Sequence, residues 1–133
     1  MICLDTTFLI DLWRQRGAAG DAARGILSTH AGEVFAVPAH AAGEFLEGAA
    51  CVSEDRLRQA VLFLRLFRFG EATFETAEWY ARVVSGLRQR DLLAGRSKAD
   101  LWIASWAMEH GGILATRNER DFRNIPDLKV LSY

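Results

Sequence analysis

The chain has 133 residues, half of them hydrophobic and a quarter charged, a composition expected of one globular domain spanning 1–133 and not of disordered or fibrous chains. Its 16 basic and 17 acidic residues leave a formal charge of −1, so no global positive field draws in nucleic acid and any such contact needs a local patch. The longest run free of Asp, Glu, Lys and Arg is Val34 to Gly43, far short of the ~20 apolar residues a membrane helix needs.

Ile2 to Leu4 reads as a short strand ending at Asp5. Phe8, Leu9, Ile10, Leu12 and Trp13 follow at helical spacing, with a hydroxyl of Thr6 or Thr7 expected as N-cap. Gly17 to Gly20 is expected to break that helix before a second one from about Asp21 to Thr29. Val34 to Val37 is a second apolar run, and Pro38 then opens a helix to about Ala50 as a first-turn proline. Ser53-Glu54-Asp55 opens the next helix, whose Leu57, Val61, Leu62, Leu64 and Leu66 face a core. Phe67 to Phe69 reads as a short strand closed by Gly70, and Glu75 to about Leu93 as a long amphipathic helix. Ser97 caps an apolar helix from Lys98 to Glu109, which Gly111-Gly112 terminates. Ile113 to Thr116 is a strand, Asn118 to Phe122 a turn of helix, and Lys129 to Leu131 a last strand. Short strands alternating with helices predict an α/β/α sandwich around a parallel sheet of four to five strands. Ligands of such sheets bind outside the carboxyl ends of the strands.

Four acids fall at that end: Asp5, Glu44, Asp100 and Asp121. Each has an ordinary structural explanation as well. Ser97 to Asp100 and Asn118 to Asp121 fit capping boxes, first-turn acids suit the helix dipole, Asp5 suits a cap and Glu44 a solvated face. Glu44 fits that explanation least, because its helix neighbours Ala41, Gly43 and Gly48 are small and leave its carboxylate room. Together, four carboxylates in one cleft repel one another and call for a counter-ion. A hard divalent cation such as Mg²⁺ or Mn²⁺ suits an all-oxygen site, where it clamps a phosphate and activates water. The residue types therefore point to phosphoester chemistry.

On the segments Leu4-Asp5-Thr6-Thr7, Glu44, Ala99-Asp100-Leu101-Trp102-Ile103-Ala104 and Leu114 to Phe122, with Ile125, Leu128, Val130 and Leu131 after them, the chain resembles the PIN-domain ribonucleases. Within them it is similar to the VapC toxins of prokaryotic toxin–antitoxin modules, over essentially its whole length. The resemblance implies a PIN-like fold and a metal-dependent endoribonuclease acting on tRNA or rRNA. It also implies Asp5 and Asp100 as the surest metal ligands, completed by Glu44 and by either Asp121 or Asn118. Thr6 and Thr116 would orient carboxylates, water or phosphate. A VapB-type antitoxin, a homodimer and a heteromer with the antitoxin are implied as assemblies.

Arg82, Arg88, Arg90, Arg96 and Lys98 against Asp91 give that segment a charge of +4, and Arg117, Arg120 and Arg123 lie near the presumed site. Fourteen of the sixteen basic residues are Arg, which favours bidentate phosphate contacts, so Arg88, Arg96 and Arg117 are candidates for RNA binding. The same arginines suit a solvated helix face. The tryptophans read first as core or interface, and Phe45, Leu46, Leu62, Leu66 and Phe67 as a groove for a partner helix. His40 and Glu44 have the spacing of a helical metal pair, but no second His completes a zinc site. Cys3 and Cys51 read as small buried hydrophobes, and with no leader visible before Asp5 a cytoplasmic setting is expected. Two other functions compete: a PIN nuclease of RNA processing, and a module that binds RNA or a partner without cleaving. A phospho-receiver domain fits poorly, because Asp5 stands alone and Phe67 to Gly70 ends on no Asp.

Overall fold

Three residues make a poor strand in isolation. β1 (Ile2–Leu4) holds because it is the central one, fully buried between β2 (Phe35–Pro38) and β4 (Ile113–Thr116). The computed structural model describes every residue from Met1 to Tyr133. Around β1 the chain lays down α1 (Thr6–Arg14), α2 (Gly17–Thr29), α3 (Ala39–Ala50), α4 (Glu54–Leu64) and β3 (Arg68–Gly70). α5 (Phe74–Gln89), α6 (Lys98–Glu109), α7 (Glu119–Phe122) and β5 (Lys129–Ser132) complete it.

The five strands form one sheet in the order β3-β2-β1-β4-β5, and every pair is parallel. Parallel neighbours need crossover connections, which here are helices, so the inner strands are covered and read as continuous apolar runs. The chain builds outward from β1 to β3, then returns to place β4 on the other side of β1. The order therefore reverses between β1 and β4, and in such sheets the crevice for a ligand lies beyond the carboxyl ends of the strands at that reversal. Helix packing aims residues at this crevice: α1 and α6 both pack on α3, and α6 also on α5 and β4.

Several boundaries depart from the predicted ones. α2 begins at Gly17, four residues before the expected start, because Gly20 is a contact residue and not a break. A Cβ on Gly20 would lie 3.1 Å from the Gln15 carbonyl carbon, so glycine lets α2 lie against the end of α1. α5 stops at Gln89 and not near Leu93. Asp91 there adopts a left-handed φ of 55°, and Leu92 N donates to Leu87 O at 2.8 Å in the manner of a Schellman turn. Pro38 ends β2 and caps α3 in place of opening its first turn. Cys51 at the end of α3 is exposed, unlike Cys3, whose thiol burial pushes up to about 12. No helix is long and apolar enough to cross a membrane.

Candidate active site

Strand register brings the first acid to its partner. β1 and β4 pair Leu4 with Ala115, so the residues that follow, Asp5 and Thr116, leave the sheet side by side. Thr116 Oγ1 donates to Asp5 Oδ2 at 2.5 Å. Asp5 is also the N-cap of α1, where a Thr hydroxyl was the first expectation: its Oδ1 accepts from Phe8 N at 2.7 Å. Thr7 Oγ1 donates to the same carboxylate at 2.9 Å. Asp5 is 3% exposed. Burial pushes its carboxyl above the usual range, opposed by the hydrogen bonds from Thr116, Phe8 and Thr7, with repulsion from Asp11 adding to the rise. Capping and a place in the crevice are thus two properties of one residue.

The other three acids arrive on helices. Glu44 is half-buried on α3, and Thr6 Oγ1 donates to its Oε1 at 2.7 Å, tying the start of α1 to α3. Asp100 is the third residue of α6, where Ser97 Oγ accepts from its backbone N at 3.3 Å. Only that half of the expected capping box forms at α6. Burial, then the negative charges of Asp121, Glu44 and Asp5 in that order, push the Asp100 carboxyl up to about 6. All four acids therefore share one electrostatic field. Asp121 is exposed on α7, and Asn118 Nδ2 donates to its Oδ2 at 3.0 Å. Asn118 makes no side-chain cap to α7, against the expected capping box there. Its backbone N donates instead to Thr116 Oγ1 at 2.9 Å, linking the α7 turn through Thr116 to Asp5.

None of the four acids forms an ion pair with Lys, Arg or His. Nor do any three acidic, His or Cys side chains converge closely enough to ligate one ion in this conformation. Uncompensated like charges standing apart have that arrangement. The donor set is all oxygen and carries up to four negative charges, which fits Mg²⁺ or Mn²⁺ and not zinc. His40 turns away from such a role. Its ring stacks on Trp102 at 4.8 Å and an interplanar angle of 5°, and Tyr80 stacks on Trp102 at 4.4 Å and 12°. This column ties α3, α6 and α5 together, and burial lowers the His40 pKa despite the Glu44 charge.

The candidate RNA-binding arginines divide. Arg96 gives Nε to Leu92 O at 2.7 Å, Nη1 to Asp121 O at 3.0 Å and Nη2 to Arg123 O, and so staples the loop before α6 to α7. Arg117 pairs with Asp11 at 2.8 Å and 3.3 Å. Arg88 is exposed at the end of α5 with no partner of its own. Sequence reasoning gave Thr7 only a capping role and passed over Asp11 and Tyr133. Asp11 left a signal, since it lies between Phe8 and Leu12 on the buried face of α1, where the helical pattern wants an apolar residue.

A groove of about 220 Å³ lined by Ile10, Trp13, Phe45, Val52 and Arg56 runs up to Glu44. Phe45 is buried there against Trp13, whose ring carries the Arg56 guanidinium at 4.6 Å. Leu46 and Phe67 instead join Leu64 and Phe69 in a second apolar groove, whereas Leu62 and Leu66 are exposed outside its lining.

No curated protein matches the chain significantly. Solved structures do, along their full length. A chain of VapBC2 from Rickettsia felis, bound to a promoter DNA fragment, is 20% identical with a TM-score of 0.82, covering 100% of this chain and 99% of that one. A chain of FitAcB from Neisseria gonorrhoeae is 24% identical with a TM-score of 0.80, covering 99% and 97%. The Mycobacterium tuberculosis toxin VapC20, which cleaves the sarcin-ricin loop, is 18% identical with a TM-score of 0.69, covering 97% and 99%. At these identities the likeness is one of fold. The PIN domain pattern matches residues 2–128, and with the five-stranded parallel sheet and the acids at its point of reversal, the chain belongs to the PIN domain family.

Proposed function

We propose that the chain is a Mg²⁺- or Mn²⁺-dependent endoribonuclease, the toxin of a toxin–antitoxin pair, that hydrolyses phosphodiester bonds in tRNA or rRNA. One observation carries the reading: at the reversal of a parallel sheet the charges of Asp121, Glu44 and Asp5 all act on Asp100, and none of the four acids is paired with a cation of the chain. Asp5 and Asp100 would hold the ion, with Glu44 and Asp121 completing the set and Asn118 assisting. A divalent cation held there supplies charge for the scissile phosphate and the leaving oxygen and lowers the pKa of an attacking water.

The side chains divide the remaining work. Thr116 and Thr7 donate to Asp5 and so favour its anion and fix its direction. Thr6 orients Glu44, and Asn118 orients Asp121. Glu44 or Asp121 accepts the proton of the attacking water, and in-line attack leaves no covalent bond to the protein. Arg88 contacts the RNA backbone, while Arg96, already hydrogen-bonded to Asp121 O and Arg123 O, holds the turn that carries Asp121, and Arg117 is engaged by Asp11 on α1. Cleavage of ribosomal RNA by a relative of the same fold supports an RNA substrate. Relatives solved as toxin–antitoxin complexes support a VapB-type antitoxin as partner, for which the groove of Leu46, Leu64, Phe67 and Phe69 offers an apolar seat. A homodimer and a cytoplasmic location complete the reading.

The test is cleavage of end-labelled tRNA and rRNA by purified protein freed of any partner, with EDTA, Mg²⁺ or Mn²⁺. Discrete products that need metal are expected, and Asp100→Asn should lower the rate roughly 100-fold or more. A folded, metal-loaded protein that cuts neither RNA refutes the assignment to these substrates.

A further inference from the structure

Asp11 has no part in the chemistry proposed above, yet it is a buried acid, 6% exposed, on the inner face of α1. A lone carboxylate there is costly, and this one is fully partnered. Oδ2 accepts from Arg117 Nε at 2.8 Å and from Tyr133 OH at 3.0 Å, and Oδ1 accepts from Arg117 Nη2 at 3.3 Å. Tyr133 is itself wedged edge-on against Phe8 at 5.2 Å, so the latch is built into the packing of α1. The fork-to-fork geometry is the strong form of an arginine–carboxylate pair.

The place of Arg117 in the chain gives the latch its meaning. Arg117 directly follows Thr116, whose hydroxyl touches Asp5. Asp11 lies four residues beyond Thr7, the other hydroxyl on Asp5, which is a rise of about 6 Å along α1. An arginine freed from Asp11 needs to swing only about one helical turn to reach the Asp5 end of the crevice. Four carboxylates without a cation are waiting there, and a guanidinium pairs well with any of them.

We infer that Asp11, with Tyr133, is a positioning residue that holds the Arg117 guanidinium away from the four acids and so keeps them open to a divalent cation. This rests on the metal-dependent reading above. Arg117 is the one cationic side chain adjoining Thr116, and both of its hydrogen bonds to a carboxylate go to Asp11 and none to Asp5, Glu44, Asp100 or Asp121. Losing the latch turns an inert arginine into an internal competitor for the metal.

The test is Mn²⁺ binding to the whole chain without RNA, followed by the electron paramagnetic resonance of free Mn²⁺, for wild type, Asp11→Asn, Arg117→Gln and the double variant. Asp11→Asn is expected to weaken Mn²⁺ binding about tenfold, because one positive charge enters the cluster. Arg117→Gln should bind as tightly as wild type or tighter, and the double variant should return to within about twofold of it. A pair that merely braced the fold would make Arg117→Gln as harmful as Asp11→Asn, and that result, or an unchanged Asp11→Asn, overturns the inference. If Asp11→Asn does not fold, Tyr133→Phe loosens the latch without altering charge. It should weaken binding about two- to threefold and be rescued by Arg117→Gln, and no change overturns the inference. Wild-type protein that binds no Mn²⁺ overturns the nuclease reading itself, and the inference with it.

Discussion

With its carboxyl pushed up to about 6, Asp100 holds a proton more tightly in the folded chain than in the unfolded one. Between the ordinary value of 3.8 and about 6 the folded state therefore binds more protons, and stability falls as pH rises through that window. Asp5, also raised by burial, contributes in the same direction. In EDTA the melting temperature should be lower at about pH 7.5 than at about pH 5, and Mg²⁺ should recover more of it at the higher pH. A melt indifferent to both pH and Mg²⁺ contradicts the shared field of the acids. At the same scale, Thr116→Val removes the 2.5 Å bond to Asp5 while keeping the shape of the side chain. Cleavage should drop about tenfold, with the fold intact by circular dichroism. The four acids could be named from their order along the chain. That Asp5 caps α1 while it faces the crevice needed the coordinates, because both roles ask for the same residue type at the same place.

Among the elements, α6 was the most legible. Its Ser97 cap, apolar run and Gly111-Gly112 stop are all local signals, and helix and cap stand where they were expected. Ser97→Ala should cost about 1 kcal/mol in urea unfolding and loosen the first turn that carries Asp100. The ends of α2 and α5 were illegible for the opposite reason. Gly20 serves a contact with α1, and Asp91 adopts a left-handed backbone that a non-glycine sequence does not announce. β3 shows the same dependence on context. A Cβ on Gly70 would lie 2.4 Å from Trp106 Cζ2, so the edge strand and α6 meet where only hydrogen fits. Gly70→Ala should destabilise the protein by about 1–3 kcal/mol, seen as a lower urea midpoint.

At the scale of the whole molecule, the surface carries an apolar groove lined by Leu46, Leu64, Phe67 and Phe69, the last of them 59% exposed. Large apolar side chains left in water beside an apolar groove mark an interaction site. Phe69→Asp should leave melting temperature and RNA cleavage nearly unchanged and abolish co-purification with the antitoxin proposed above. Retained co-purification would move the partner to the groove that ends at Glu44.

By itself the sequence determined the alternation of strands and helices and the parallel sheet, and it marked four acids as candidates, because these follow from local periodicity and from residues standing at strand and helix ends. The tertiary structure decided what those residues do to one another. The reversal between β1 and β4 sets Asp5 beside Thr116 from positions more than a hundred residues apart in sequence, 111 in all. It also committed Arg96 and Arg117 to backbone and to Asp11, although their charge alone had marked them for RNA. The physical reason is that a charge can be read from one residue, whereas its partner is set by which segments the fold brings within hydrogen-bonding distance.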